Sequence, residues 1–267
     1  VGGSIGDSVA PAVLGIAVGY LSWRHVLEIN AIPAVFLALL ILFLLRTAAA
    51  GEPGLVKGVG QYASSFKVLL KNRRLMSLVA IAGVRSAGQT GLLAFLTIYL
   101  REDLKMSSTL IGLHLTLLTV LGIVAAPVLG LLSDKLGRKP VLVFGLVSIG
   151  LLMLALALVG TSWRLTLIIG SMGLFQYSLQ AIIVAAAMDA VGKGVEATTV
   201  GFIFTGNFLF SAFAPIIAGL IVDATGHTSS AFLFMSSMTL TAALLVALVP
   251  IGKASKRPAP VSPGRVG

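Results

Sequence analysis

The sequence predicts an all-α membrane protein built as a bundle of eight transmembrane helices. Of its 267 residues 57% are hydrophobic and only 10% are charged, whereas a typical soluble domain carries about 25% charged residues. The apolar residues also fall in long runs, and a run of about 20 residues crosses the hydrocarbon core of a bilayer at 1.5 Å per residue. Only lipid can surround such a surface, so the lipid bilayer is the first partner that the sequence predicts.

Eight runs satisfy this length requirement. They cover 1–22, 30–46, 75–100, 108–132, 140–160, 163–190, 196–222 and 228–250. In the longest connection the stretch 64–74 has apolar residues at helical spacing, which predicts a helix at the membrane interface. The tail 251–267 contains three prolines and no apolar periodicity, which predicts disorder. The chain begins at Val1 inside an apolar run with no charged segment before it, so we expect the cut end of a longer protein rather than a signal peptide.

Lysine and arginine predict the orientation of the spans. Fourteen of the 19 lie in the connection 46–74, in the connection 133–140, at 190–195 or in the tail. Because basic residues mark the cytoplasmic side, these connections and the C-terminus are predicted to be cytoplasmic. The rings expected at the outer interface, where amphipathic side chains settle, are Trp23, Tyr99 and Trp163.

Composition excludes several functional classes. The chain has no cysteine, which rules out disulfides and thiolate metal sites. Its formal net charge of +10 does not indicate a nucleic-acid partner, because the bases lie in short connections between apolar runs. Catalysis within the membrane would need clustered ionisable groups, and away from the ends of the spans the sequence holds one aspartate, Asp7, and one histidine, His114, at different depths. We therefore predict no enzyme activity, no metal and no cofactor, and we expect His114 to bond a neighbouring helix.

The first and seventh spans share small residues around a proline. Residues 10–15 read APAVLG and residues 214–219 read APIIAG, and another apolar span follows each of them after a short loop. A proline within a helix removes a backbone donor and bends the helix, while small neighbours let another helix approach closely. The pattern predicts a protein of two related halves. The residues of this predicted bend and packing motif are Gly6, Ala10, Pro11, Gly15, Ala214, Pro215 and Gly219.

The connection 130–139 reads GLLSDKLGRK, with glycines, one acid and three bases in a fixed order. Glycine permits a tight turn, and the acid can face a helix N-terminus. This stretch resembles the cytoplasmic-loop signature of the major facilitator superfamily, G-x-L-x-D-[RK]-x-G-[RK]-[RK]. The resemblance implies a gating loop, in which we expect Arg138 to lie near Asp189. Its residues are Gly130, Asp134, Lys135, Gly137, Arg138, Lys139 and Asp189.

The resemblance extends along the chain. GSIGDSVAPAVLG at 3–15 resembles the helix-five motif of proton-coupled exporters, with Ala10 and Leu14 where that motif has glycine, and SWRHVLEINAIP at 22–33 resembles the link to helix six. The eight spans then correspond to helices five to twelve of the family. The implied domains are the last two helices of the N-terminal half at 1–46, a cytoplasmic linker with an interfacial helix at 47–74, a six-helix C-terminal half at 75–250, and a disordered cytoplasmic tail at 251–267.

A member of this family would be a secondary transporter that moves a small-molecule solute by alternating access. The resemblance implies an integral protein of a prokaryotic cytoplasmic membrane, with the proton as coupling ion. It also implies a monomer once the four missing N-terminal helices are present. Proton-coupled efflux is the first prediction. Uptake or facilitated transport of an organic anion, with Arg85 as counter-charge, and an inactive truncated transporter are the alternatives.

Polar side chains within the spans predict where solute and protons pass. Ionisable and amide groups are costly in hydrocarbon and normally face a pathway or a partner. The spans 30–46, 140–160 and 228–250 have almost none, so we expect these three helices to lie outermost. In two other spans such residues form i,i+4 pairs, each of which presents one polar helix face. The candidate solute or coupling residues are Asp7, Arg85, Gln89, Gln176, Gln180 and Asn207.

Each candidate also has a structural alternative. Arg85 can bond helix ends or an acid of the N-terminal half, and Asp7 can form a fixed ion pair with that half. The glutamines can join neighbouring helices by hydrogen bonds.

Overall fold

The computed structural model describes residues 11, 13–18, 20–48, 69–160, 163–191 and 195–250. All regular elements in these ranges are helical. Several predicted features lie outside them: Gly6, Asp7 and Ala10 of the first span, most of the interfacial helix at 64–74, and the tail 251–267. Of the first span, residues 11, 13–18 and 20 are helical, and they are termed the N-terminal helix segment below.

The helices that follow have bounds close to the predicted spans. They are α1 (Trp23–Ala48), α2 (Arg73–Ile98), α3 (Ser108–Leu136), α4 (Arg138–Leu158), α5 (Trp163–Gln176), α6 (Ser178–Asp189), α7 (Glu196–Thr225) and α8 (Ser229–Leu248). A π-helical turn, Tyr99–Asp103, continues α2. Within the described residues seven stretches are long and apolar enough to cross a membrane, α5 and α6 counting together as one. The prediction of an all-α membrane bundle is confirmed.

The predicted connection at 130–140 is almost wholly helical. α3 continues to Leu136 and α4 begins at Arg138, so Gly137 alone joins them. Gly137 has φ +99°, a backbone conformation that glycine adopts without a steric penalty. Gly130, by contrast, lies within α3 with open space around its Cα. The turn therefore needs only one of the two glycines of the motif.

The buried core lies mainly among α2, α4, α5, α6 and α8. α2 packs along α7 and α8, α8 packs along α4, and α3 packs along α5. Glycines allow the closest approaches, since a Cβ on Gly83 of α2 would lie 3.0 Å from the carbonyl oxygen of Gly206 of α7. Lipid is as apolar as leucine, so close packing of this kind holds membrane helices together where the hydrophobic effect does not.

The prediction that three helices lie outermost is met by α1 only. In its most apolar stretch 6% of the residues are buried, compared with 44% in α4 and in α8, 17% in α3 and 11% in α7. Within the described residues the prediction is wrong for α4 and α8, because each packs along the other and along further helices of the core. α3 and α7 instead turn one face away from the bundle.

Tyr99, which the sequence predicts at the outer interface, turns its ring into the protein. Its side chain is 8% exposed, and its ring packs edge-on against Phe232 with centroids 5.3 Å apart. Its hydroxyl donates to the carbonyl of Val159 at 2.7 Å, which lies just beyond the end of α4. Carbonyls at a helix end have no partner within the helix, so this hydroxyl satisfies one of them. Trp163 is 70% exposed, as an interfacial ring would be.

Two backbones touch where the N-terminal helix segment crosses α3. A Cβ on Gly15 would lie 2.9 Å from the Cα of Gly112 and 2.7 Å from the carbonyl oxygen of Ser108. A Cβ on Gly112 would lie 3.1 Å from the Cα of Gly15. Gly219, the repeat counterpart of Gly15, has open space around it among the described residues. The shared pattern of the two spans therefore gives a close contact at one of its two copies.

Replacing Gly112 by valine is expected to separate these two helices. The new side chain would overlap the backbone of the N-terminal helix segment, and overpacking of this kind costs about 1–3 kcal/mol. Thermal unfolding of the purified protein in detergent should show a lower midpoint for Gly112→Val. Gly201→Val in α7 is the control, since a Cβ there meets nothing within 4 Å. Equal midpoints for the two variants would contradict the contact.

Candidate functional site

The α-helix of the membrane span at 163–189 has a one-residue interruption near its middle, at Tyr177, whose backbone keeps right-handed helical angles (φ −92°, ψ −30°). α5 ends at Gln176 and α6 begins at Ser178, with Tyr177 between them. The hydroxyl of Ser178 donates to the carbonyl of Leu174 at 2.9 Å and to that of Gly122 in α3 at 3.3 Å. Side-chain donors here compete with the backbone N–H groups of the helix. The sequence predicted one continuous helix, because this competition leaves no mark in the apolar pattern.

Arg85 of α2 reaches this interruption. Its Nη2 donates to the backbone carbonyl of Gln176, and its Nη1 donates to Oε1 of Gln180 at 2.9 Å. The arginine is 3% exposed. It therefore bonds both α5 and α6, on either side of Tyr177. From the sequence Arg85 and the glutamines were expected on polar faces of two helices, and the structure brings those two faces together.

The buried polar atoms around Arg85 are mostly donors without acceptors. Within the part of the chain that the structure describes, Nε of Arg85, Nε2 of Gln176, Nε2 of Gln180 and Oδ1 of Asn207 have no hydrogen-bond partner. The oxygen of Gln180 accepts from Arg85, which fixes the amide so that its nitrogen points away. Among the described residues no acidic group lies within the 4.0 Å ion-pair distance of Arg85. These four residues are termed the donor cluster, and they hold a buried positive charge that no described acidic residue pairs with.

Gln89 is not part of the donor cluster, whereas Asn207 belongs to it through its unpaired oxygen. Gln89 is half-buried and lies one turn further along α2. Asn207 of α7 is 7% exposed and follows Gly206, which packs against Val79 of α2. His114 bonds a neighbouring helix as predicted: its Nε2 lies 3.1 Å from Oγ1 of Thr166 in α5. Asp7 lies outside the described residues.

A cavity of about 660 Å³ lies between the N-terminal helix segment, α2 and α3. Its lining is mainly apolar and includes Leu93, Ile111 and Leu115, with Arg101 among the charged residues at its border. Tyr177 also lines it. Tyr177 follows Gln176 in the chain, but none of the four residues of the donor cluster is among the described residues that line the cavity.

Sequence reasoning missed both the cavity and Tyr177. One signal was present, since Tyr177 is an aromatic residue with a polar tip between two glutamines in mid-span.

A second polar cluster lies at the end of the bundle that is predicted to be cytoplasmic. Arg138 contacts Asp134 at 2.6 Å and Asp189 at 3.3 Å, and it donates to the hydroxyl of Ser133 at 2.8 Å. The prediction that Arg138 lies near Asp189 is confirmed. The arginine is 12% exposed and the carboxylates are 56% and 25% exposed, so the contacts are partly shielded from solvent. They join the end of α3 and the start of α4 to the end of α6.

The other residues of the predicted gating loop lie around this arginine. Lys135 is exposed and Lys139 is half-buried. At the same end of the bundle, Asn72 accepts from the backbone N–H groups of Arg74 and Leu75 at the start of α2 and donates to the carbonyl of Ala190 at 3.2 Å. Four helices therefore meet there through polar contacts.

The described residues contain no group of three histidine, aspartate or glutamate side chains that could hold a metal ion. A family model for the Major Facilitator Superfamily matches residues 78–266. The chain belongs to the major facilitator superfamily. It is therefore a chain of a family of membrane transporters, as the motif at 130–139 suggested.

Two relatives share part of this major facilitator sequence. Tetracycline resistance protein, class H, of Pasteurella multocida is 28% identical over 196 residues, which cover 72% of this chain and 47% of that protein. Multidrug resistance protein MdtG of Serratia proteamaculans (strain 568) is 28% identical over 167 residues, covering 61% of this chain and 40% of that protein. The chain thus spans less than half the length of these curated relatives.

Replacing Asp134 by asparagine is expected to reduce transport while expression stays unchanged. The change keeps the shape of the side chain but removes one of the two carboxylates that hold Arg138, and a charge-assisted hydrogen bond is about twice as strong as a neutral one. Flux per molecule of protein in vesicles measures the effect. Asp223→Asn, on the exposed outer part of α7, is the matched control. Flux equal to that of the wild type would mean that Asp134 serves only to orient the chain in the membrane.

Proposed function

We propose that this major facilitator exports a small organic compound by alternating access and couples the export to proton entry. The apolar cavity is the observation that carries the proposal. Pockets that hold drug-sized ligands have volumes of roughly 300–1,000 Å³ and are mostly apolar with a few polar groups. The cavity, at about 660 Å³, has this size and this lining. The names of the two relatives, for tetracycline resistance and multidrug resistance, support the choice of export.

The lining favours a solute that is largely apolar. Each methylene group that leaves water gains about 0.8 kcal/mol, and this gain does not depend on direction. Leu93, Ile111 and Leu115 would therefore accept different apolar shapes. The hydroxyl of Thr119 donates to the carbonyl of Leu115 at 2.9 Å, so it offers the solute an acceptor more readily than a donor. Recognition of the solute by hydrogen bonds then depends on polar groups near Tyr177.

Uptake of an organic anion is the second candidate. It is favoured by Arg85, whose charge has no acidic partner within ion-pair distance among the described residues. A buried cation is costly unless an anion pairs with it.

Accumulation assays separate the two directions. The full reading frame that encodes this chain is expressed in a bacterial host without its main exporters, and the cellular content of tetracycline is measured. Export predicts a lower content than in cells with an empty vector, and a protonophore should abolish the difference. A higher content would indicate uptake instead. An unchanged content of tetracycline and of a panel of apolar dyes would contradict export.

Filling the cavity is expected to reduce export. Leu115→Trp adds a large ring to the cavity wall, so export of the best probe should fall several-fold at equal expression, because solute and ring compete for the same volume. Val128→Trp on the same helix is the control, since Val128 is 64% exposed and does not line the cavity. Equal export by the two variants would exclude this cavity as the solute site.

Proton coupling leads to a separate prediction at Asp7. It is the acid that the sequence places in the first span, and a carboxyl group can take up a proton on one side of the membrane and release it on the other. In proteoliposomes with an imposed pH gradient, Asp7→Asn should abolish proton-driven flux and retain solute exchange without a gradient. Asp103→Asn, exposed at the other side of the bundle, should retain both. Proton-driven flux that survives Asp7→Asn would exclude Asp7 as the coupling group.

A further inference from the structure

We propose that the donor cluster binds an oxyanion of the transported solute, so that the solute is an amphiphilic organic acid. The cluster consists of Arg85, Gln176, Gln180 and Asn207. The inference rests on the proposed function in one respect, namely that the ligand is the compound that the protein exports. It adds the chemical class of that compound and the residues that recognise it.

The first argument is the balance of donors and acceptors. The unpaired atoms are the Nε–H of Arg85, the two amide nitrogens of Gln176 and Gln180, and the single acceptor Oδ1 of Asn207. An amide nitrogen carries two N–H groups, so the set contains five N–H groups and one acceptor. Even if Oδ1 accepted one of them, four would stay unpaired. A carboxylate has two oxygens, donates nothing and can accept about four hydrogen bonds, which is the complement of this set.

The second argument is charge. Arg85 is 3% exposed and stays protonated under all ordinary conditions. Its two hydrogen bonds from Nη1 and Nη2 go to neutral oxygens, an amide and a backbone carbonyl. Neutral acceptors orient the guanidinium but do not compensate its charge. An oxyanion would do both, whereas a solute with a permanent positive charge would be repelled.

The third argument is position. Arg85 donates to the carbonyl that directly precedes Tyr177, and Tyr177 lines the apolar cavity. We place the oxyanion of the proposed ligand at Arg85 and its apolar body in the cavity that Tyr177 lines. Gln180 lies on the other side of Tyr177 and holds Nη1, which leaves the Nε edge of the guanidinium for the ligand.

The test uses probes that differ in charge and share one shape. Thermal unfolding of the purified full-length protein is followed with adamantane-1-carboxylate, adamantane-1-carboxamide and adamantan-1-ylmethylamine at neutral pH. A ligand that binds the folded state raises the midpoint with its concentration. The carboxylate is expected to bind at least about tenfold more tightly than the amide, because its hydrogen bonds are charge-assisted, and the amine is expected to bind least. The same carboxylate, carboxamide and amine groups on a naphthalene skeleton test whether the preference depends on the charge of the group and not on the skeleton.

Two variants locate the preference. Arg85→Gln should reduce the ratio between carboxylate and amide to about one. Gln180→Glu supplies a carboxylate from the protein itself, at the oxygen that already contacts Nη1, so it should fold at least as well as the wild type and lose the preference. Arg164→Gln, at an exposed position at the start of α5, is the matched control and should keep it.

Several outcomes would overturn the inference. One is a wild-type protein that prefers the carboxylate on neither skeleton, as would follow if an acid of the protein already paired with Arg85. Another is a preference that survives in Gln180→Glu. Failure of the proposed function can be told apart from failure of this inference. Carboxylate preference without export would contradict export alone, and export without carboxylate preference would contradict the oxyanion site alone.

Discussion

Hydrocarbon offers neither donors nor acceptors, so every backbone N–H and C=O of a membrane span must find its partner within the protein. The helices meet this requirement along their length, and where a helix is interrupted or ends, a side chain meets it instead. Arg85 and Ser178 donate to carbonyls around the interruption at Tyr177, and Tyr99 donates to the carbonyl of Val159 beyond α4. These three polar side chains thus serve first as hydrogen-bond donors to backbone carbonyls. What the backbone does not use at Arg85, namely the Nε–H and the charge, is left for a ligand.

The helices contact one another in two different ways. At the end that carries Arg138, charged and polar groups join α3, α4 and α6 at fixed distances, and such contacts hold the helices in one arrangement. Where the N-terminal helix segment crosses α3, Gly15 and Gly112 bring bare backbone against backbone. At these two glycines of the described residues, no side chain separates the two backbones. Alternating access needs bodies that stay rigid and a contact along which they can rock, and the chain contains both kinds of contact.

The sequence predicted the elements that depend on composition and on a specific motif. Apolar length gave the bounds of six spans to within four residues, whereas α1 begins seven residues before the predicted span 30–46. The motif around Arg138 placed that residue near Asp189. Other features depend on competition between bonds that no periodicity records. The interruption at Tyr177 follows from the Ser178 hydroxyl and the Arg85 guanidinium, and the burial of Tyr99 follows from a carbonyl at the end of another helix. Polar content indicated that Arg85 and Gln180 matter, but it could not show that one bonds the other. Polar content also gave the wrong position for α4 and α8, which were predicted to lie outermost, because an apolar helix is as suited to the core as to lipid.

The donor cluster and the cavity explain together how one site can be selective and permissive. Apolar contact in the cavity rewards the amount of surface buried and hardly its shape, so compounds with different skeletons would gain similar free energy there. The guanidinium of Arg85 requires a group of one charge at one place, since an ion pair in a low dielectric depends steeply on distance. A solute would then be chosen by its charged end and tolerated in its apolar body. Binding would also neutralise Arg85, and a site whose charge is compensated only when loaded is less costly to close against solvent when it carries solute than when it is empty. Compensation of the charge of Arg85 by the bound solute would in this way link solute binding to the change of access.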